Sequence, residues 1–257
     1  PVNDEPSATP SQNYALNEDP GAQSTLNFMT SLEEGGGSDE DGQTLSFAVD
    51  TIAKTTSNTA FTAADLFDTN PAFTTPTSNI LDFTSSQILG DGETETVTVT
   101  VSVSDDGGTA NGGDDTGANQ TFTIELTGVN DAPSHTQPSN AVLSMNEDPA
   151  TVPSNTVASL LSTGTFDDPD GNDQLAGIAI TGVQTGDGGT WQYSTDGSNW
   201  HNVDPSSDVA SDNALLLAKD AELRFVPAAD KNDGSFTQTP KLTTHVVDDS
   251  GGLTFTN

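Results

Sequence analysis

Acidic side chains outnumber basic ones by 39 to 5 in this 257-residue chain, a formal net charge of -34. Charge of one sign on that scale opposes compaction, because like charges gathered by a fold repel one another. At ~4 Å a pair of unit charges costs about 1 kcal/mol even in bulk water, and more near a protein surface. Such a chain has two outcomes open to it: it stays disordered, or it folds around cations. Where the acids sit decides between them. The same imbalance repels nucleic acid and anionic lipid headgroups, which argues against either as a partner.

Between the acids the chain reads as strands. In residues Thr94–Ser104 (TETVTVTVSVS), Val97, Val99, Val101 and Val103 fall on one face, with Thr or Ser on the other. That is the period-two pattern of a half-buried strand, and it supplies the buried face that disordered acidic chains lack. Residues 45–49, 122–126, 223–225 and 242–246 alternate in the same way. Asp196-Gly197 predicts a hairpin between strands at 191–194 and 200–203. Only short helical turns are predicted, at 63–67 and 157–161, and neither is long enough to cover a sheet. Short alternating strands, punctuated by Gly, Asn, Asp and Pro, predict an all-β fold of antiparallel β-sandwiches.

The sequence also repeats itself. Val2-Asn3-Asp4-Glu5-Pro6 returns as Val129-Asn130-Asp131-Ala132-Pro133, and Asn17-Glu18-Asp19-Pro20 as Asn146-Glu147-Asp148-Pro149. The turn Ser38-Asp39-Glu40-Asp41-Gly42 is matched by Asp167-Asp168-Pro169-Asp170-Gly171, and Ser104-Asp105-Asp106-Gly107-Gly108 by Asp248-Asp249-Ser250-Gly251-Gly252. Four motifs in one order predict two homologous modules, 1–131 and 132–257, placed end to end. The absence of an initiator Met and of a signal peptide marks the chain as a piece of something longer, and the final strand is expected to be cut short near Asn257. With no cysteine, disulfides and thiolate chemistry are unavailable, and calcium is a natural substitute as a staple. No apolar run is long enough to cross a bilayer.

Calcium takes six to eight oxygen ligands from carboxylates, carbonyls and water. A single Asp-x-Asp-Gly turn is usually no more than a solvated loop; the ordered set of four motifs is far more specific. With its Val-Asn-Asp-x-Pro linkers, early Glu, Asp-x-Asp turn and late Asp, the chain resembles the cadherin-like, immunoglobulin-like extender repeats of large bacterial repeats-in-toxin adhesins. The resemblance implies calcium at the junction between modules, with ligands from the upstream Glu, the linker Asn-Asp and the downstream Asp-x-Asp and late Asp. Here those residues are Glu18, Asn130, Asp131, Asp168, Asp170 and Asp248. Asp167 or Asp249 stands in for a neighbour if the register shifts. The equivalent N-terminal half-site is Asn3, Asp4, Asp39, Asp41 and Asp105, and Glu147 would serve a junction further on. Asp91, Glu93 and Glu95 are candidates for a mid-module site. In the Gly-rich insertion 105–119, Asp114 and Asp115 read better as a solvated loop than as ligands. The resemblance further implies a secreted, extracellular segment on a bacterial surface, monomeric in isolation, whose partners are its neighbouring modules.

Other chemistries are weaker. Ligation by oxygen alone disfavours zinc, and magnesium demands a tighter octahedron. Trp191 and Tyr193 share one strand face and with Trp200 form a conceivable sugar platform, which would make module two a ligand-binding domain; packing on the core is the simpler use of such rings. His135, His201 and His245 have no nucleophile or Gly-x-Ser-x-Gly turn beside them, and His245 is expected to face solvent. A glycosidase would draw on paired acids, but these fall at turns and module ends, so the chain reads as non-enzymatic.

Overall fold

A computed structural model of the chain describes residues 2–56, 60–137, 141, 143, 149–171, 173–186, 188–205, 209, 213–231, 238–250 and 252–256. The chain divides into two units, Pro1–Asn130 and Asp131–Asn257, both built from β-strands.

Unit one contains β1 (Ser7–Pro10), β2 (Tyr14–Asn17), β3 (Gln23–Leu26), β4 (Met29–Glu33), β5 (Ser46–Lys54), β6 (Phe67–Phe73), β7 (Ile80–Ser85), β8 (Thr94–Ser104) and β9 (Gln120–Thr127). One sheet runs β2-β9-β8-β5 and the facing sheet β3-β7-β6, with β1 paired to β4 at the margin. The alternation in β8 does what its pattern predicts. Val97, Val99, Val101 and Val103 are 0–1% exposed, each burial stabilising by about 1.5–3 kcal/mol. Phe122, Ile124 and Leu126 of β9 add to that face, and Phe67, Leu81 and Phe83 close the core from the other sheet. Aromatic rings lock the two layers. Phe28 meets Phe122 edge-on at 4.7 Å between centroids, and Tyr14 meets Phe83 at 5.1 Å while its hydroxyl bonds Thr25 Oγ1 at 2.7 Å.

Unit two repeats the plan with β10 (Ser134–Thr136), β11 (Asn155–Thr156), the single-turn helix α1 (Val157–Leu161), β12 (Thr165–Asp167), β13 (Leu175–Gln184), β14 (Gly189–Ser194), β15 (His201–Asn202), β16 (Leu215–Ala218), β17 (Glu222–Pro227) and β18 (Lys241–Asp248). Its sheets run β11-β17-β14-β15 and β16-β13-β18, with β10 paired to β12. The core joins Ile178 and Ile180 of β13 and Leu215 and Leu217 of β16 to Trp191, Tyr193, Leu223 and Phe225 of the other sheet. The Asp196-Gly197 signal holds: β14 pairs antiparallel with β15 across it, Gly197 adopts φ 71°, and Asp196 Oδ1 accepts from the Ser198 and Asn199 amides at 2.8 and 2.7 Å.

Two features differ from the sequence expectation. The β2–β9 pair is parallel, the remaining pairs being antiparallel. The predicted helical turn at 63–67 is a non-helical turn instead, in which the Thr62 amide donates to Asp65 Oδ2 at 2.7 Å. Phe67 then enters β6, because its ring is needed against Phe83, 6.0 Å away. The turn at 157–161 is helical as read, capped by Thr156 Oγ1 accepting from the Ser159 amide.

Candidate metal centre

In each unit hydrogen bonds draw the linker, the acidic turn and the late motif together, and four of them recur in both. In unit two the linker amide of Asp131 donates to Asp170 Oδ2 at 2.8 Å, while the Asp170 amide donates to Asp168 Oδ1 at 3.0 Å. The Asp173 amide closes the turn on the Asp170 carbonyl at 2.8 Å. The late motif is shaped by the Ser250 amide, which bonds Asp248 Oδ1 at 3.0 Å, and Asp249 Oδ1 is tied to the Gln174 amide at 2.8 Å. In unit one the Asp4 amide donates to Glu40 Oε1 at 2.6 Å, the Gln43 amide to the Glu40 carbonyl at 3.0 Å, the Gly107 amide to Asp105 Oδ1 at 2.8 Å and the Thr44 amide to Asp106 Oδ1 at 2.8 Å.

This correspondence puts Glu40 in the place of Asp170. Glu40 is 3% exposed and Asp170 0%, whereas Asp39 and Asp41, the sequence candidates, lie on the exposed flanks of the turn. Glu40 and Asp173 are the residues that sequence reasoning did not single out. Nothing in the sequence marks the first, because the bond from the linker amide to the middle acid of the turn exists only in the fold. Asp173 lies outside every motif, and its counterpart in unit one is the uncharged Gln43. Asn3 behaves as its linker position suggests, with Nδ2 donating to Asp105 Oδ1 at 2.9 Å and to the Asp114 carbonyl at 2.7 Å. Asp114 itself is exposed and supplies only backbone to this contact. Gly35, Gly36 and Gly37 make room for the acids. A Cβ on Gly35 would lie 2.1 Å from Glu40 Oε2, and one on Gly36 would lie 1.8 Å from Asp4 Oδ2.

In unit two, carboxylate oxygens of Asp168, Asp170 and Asp173 all lie within 4.8 Å of one another. Two oxygens on one calcium, each 2.3–2.6 Å from it, are separated by up to about 5 Å, so this spacing suits the ion. Asp168 Oδ2 and Asp173 Oδ2 are buried without a hydrogen-bond partner among the described residues, as are Asp105 Oδ2 and Glu40 Oε2 in unit one. Burial pushes the Asp168 carboxyl above the ordinary range, helped by the charges of Asp170, Asp248 and Asp173 against an opposing bond from the Asp170 amide. Asp173 is raised for the same first reason, with Asp170, Asp248 and Asp249 adding to it. A donor set of oxygens only, crowded, buried and short of hydrogen bonds, fits calcium.

Glu18 is 1% exposed and belongs to unit one, where Oε2 accepts from the Ile88 and Leu89 amides at 2.9 Å each and Oε1 from the Val129 amide at 3.0 Å. It therefore fixes the start of the linker from the unit-one side. Asn130 is exposed. Glu147, with most of the second early-Glu motif, lies outside the described residues. Of the mid-module candidates, Asp91 is exposed and Glu95 is buried against Lys54, whose Nζ is 3.4 Å away; Glu95 also takes a short hydrogen bond from Thr56 Oγ1. That carboxylate thus already has a cationic partner within the protein.

The aromatic residues serve the core. Trp191 and Tyr193 are 8% and 9% exposed, Trp191 Nε1 donating to the Gln184 carbonyl at 3.1 Å. The half-buried Trp200 ring carries the Arg224 guanidinium 3.7 Å from its centroid. Trp191 and Tyr193 therefore pack into the sandwich core, and of the three rings only Trp200 is partly exposed. His245 is exposed, as expected.

No family model matches the chain, and no curated protein matches its sequence. Among solved structures it is similar to the CsuC–CsuE chaperone–tip adhesion subunit complex from archaic chaperone–usher Csu pili of Acinetobacter baumannii, at 8% identity over 95% of this chain and 99% of that one, with a TM-score of 0.39. It is also similar to extracellular cadherin domains 3–6 of protocadherin gamma B2, at 13% identity, covering 95% of this chain and 50% of that one, with a TM-score of 0.33. The chain thus spans half the length of the protocadherin chain. Superpositions this loose leave the fold to be read from the strand pairing itself. No helix among the described residues is long and apolar enough to cross a membrane.

Proposed function

We propose that this chain is a calcium-dependent structural segment of a secreted adhesin on a bacterial surface, stiffened by metal at the linker between its modules. The observation that carries the reading is the trio Asp168, Asp170 and Asp173, with Asp170 buried and the other two half-buried, whose oxygens lie within 4.8 Å of one another. Held without a cation, three such charges repel by at least ~1 kcal/mol per pair. Bound calcium supplies the compensating charge and draws in further oxygens. Asp170 orients the linker through the Asp131 amide, Asp168 and Asp173 offer partnerless oxygens, and Asp248 lends its charge from the late motif.

Support for a shared junction comes from the linker. Val129 donates to Glu18 within unit one, and two residues later Asp131 donates to Asp170 within unit two. In this reading Glu18, Asn130, Asp131, Asp168, Asp170 and Asp248 hold the ion together, with Asp173 joining them. The N-terminal site of Asn3, Asp4, Glu40 and Asp105, flanked by Asp39 and Asp41, serves a preceding module in the same way. The carboxylates belong to metal and not to catalysis.

Small-angle scattering of the whole chain with 2 mM-scale calcium and with chelator tests the joint, at concentrations of the order that extracellular calcium modules require. A longer, narrower distribution of sizes with calcium is the expected result. Identical scattering under both conditions contradicts the stiffening.

A further inference from the structure

The Gly-rich insertion 105–119 joins β8 to β9 and is tied down on both sides of its tip. The Asp105 amide donates to the Asp115 carbonyl at 3.1 Å and the Asp114 amide to the Asn3 carbonyl at 2.9 Å, while Asn3 Nδ2 returns a bond to the Asp114 carbonyl at 2.7 Å. Gly113 presses on the same residue, since a Cβ there would lie 2.9 Å from Asn3 Cβ. The tip itself, residues 109–112, is exposed.

At that tip stands Asn111-Gly112, the single Asn-Gly pair in the sequence. Asn111 takes the left-handed conformation, with φ 59° and ψ 21°, and Gly112 follows at φ 89°. No hydrogen bond among the described residues holds the Asn111 side chain. Other asparagines of unit one are anchored: Asn13 Oδ1 accepts from the Thr123 amide at 2.8 Å, and Asn79 Oδ1 from the Met29 amide at 2.6 Å. A Cβ at Gly112 would meet nothing within 4 Å, so the approach to this peptide is open. A glycine nitrogen is also the least hindered one that an Asn side chain can meet, because no side chain stands over it.

We propose that Asn111 is a self-modification site, losing its side-chain amide as the protein ages. The Gly112 nitrogen attacks Asn111 Cγ and closes a succinimide ring. The side-chain nitrogen leaves as ammonia, carrying the proton that Gly112 gives up. Water then opens the ring. Opening at Cγ leaves an ordinary aspartate; opening at the main-chain carbonyl leaves isoaspartate, in which the backbone runs through Cγ and is longer by a methylene. Either product adds a carboxylate to a loop that already holds Asp105, Asp106, Asp114 and Asp115. The isoaspartate form also lengthens a loop that is packed on Asn3 at Gly113 and bonded to it at Asp114, and so works against the Asp114–Asn3 pair. Any effect on calcium rests on the function proposed for Asn3; the modification itself does not.

The test holds the whole chain and an Asn111→Gly variant, which suits the left-handed backbone, in calcium-free, mildly alkaline buffer at physiological temperature. Each Asn-containing peptide is followed by mass and by isoaspartate content. The expected result is conversion at Asn111, largely to isoaspartate, at least about tenfold faster than at any other Asn, and its loss in the variant. Conversion at Asn111 no faster than elsewhere overturns the proposal. Amide exchange at Asp114, read in chelator on fresh and aged protein, tests the link to Asn3. Exchange at least about tenfold faster after ageing is expected, and unchanged exchange in fully converted protein overturns that link.

Discussion

Replacing Asp173 by Asn removes one charge from the crowded trio of Asp168, Asp170 and Asp173 and leaves its shape. Asp173 lies within 4.8 Å of Asp168 and Asp170, oxygen to oxygen. A unit-charge pair at that distance costs about 0.9 kcal/mol in bulk water and about 3.5 kcal/mol at an effective dielectric of 20. Asp173 is partly exposed, so solvent screening favours the low end, a relief of about 1–2 kcal/mol summed over its neighbours. The Asp173→Asn chain should therefore melt higher than wild type in chelator, by about 3–6 °C for unit two. In calcium the order reverses, because an amide oxygen attracts the ion less than a carboxylate, and the affinity falls about tenfold for each 1.4 kcal/mol lost. Calorimetric melts of both proteins in chelator and in calcium read both effects. A variant less stable than wild type in chelator, or one whose calcium response is unchanged, refutes the electrostatic reasoning.

Three other outcomes follow from the same geometry. Gly36→Ala places a Cβ 1.8 Å from Asp4 Oδ2 at a residue without a positive φ, so the fold should lose less than about 1 kcal/mol while the calcium response of unit one drops; an intact response there rules out Asp4 as a ligand. The raised carboxyls of Asp168 and Asp173 make the folded, metal-free protein bind more protons than the unfolded chain just above the ordinary value of 3.8. Their stabilising contribution is thus present at low pH and lost as pH rises through the raised values. Melts in chelator should show wild type losing stability relative to an Asp168→Asn, Asp173→Asn double variant as pH rises above the ordinary value of 3.8, and parallel curves would contradict the shifts. Trp191→Ala, in the core, should cost about 3–5 kcal/mol in denaturant unfolding, against about 0.5–2 kcal/mol for Trp200→Ala, which loses mainly its contact with Arg224; equal costs would place Trp200 in the core.

Local pattern carried much of this structure. The alternation in β8 is legible because one face of a strand must be apolar, and the Asp196-Gly197 turn because only a few residues tolerate its backbone. The repeated order of the motifs gave the two modules, while the gathering of linker, acidic turn and late motif was implied only by the resemblance to extender repeats. Pairings that join distant residues were not: nothing local to Tyr14–Asn17 indicates that it runs parallel to Gln120–Thr127. The turn at 63–67 misled because its composition suits a helix, while Phe67 is claimed by the core of unit one. Within the acidic turn, counting acids cannot tell which carboxylate faces the linker. Glu40 is drawn inward by the Asp4 amide, and Asp39 and Asp41 are left outside. Asp173 carries no motif at all and is recognised only through its neighbours in space.

The central claim, that cations hold these acidic clusters together, is tested most directly by a thermal melt of the whole chain with and without millimolar calcium, with magnesium as the control ion. A rise in melting temperature with calcium, well beyond that with magnesium and reduced by Asp170→Asn, is the result that calcium ligation predicts. Melting curves that coincide in calcium, magnesium and chelator would mean the acidic turns are held by their hydrogen bonds alone, and calcium would have no structural role in this chain.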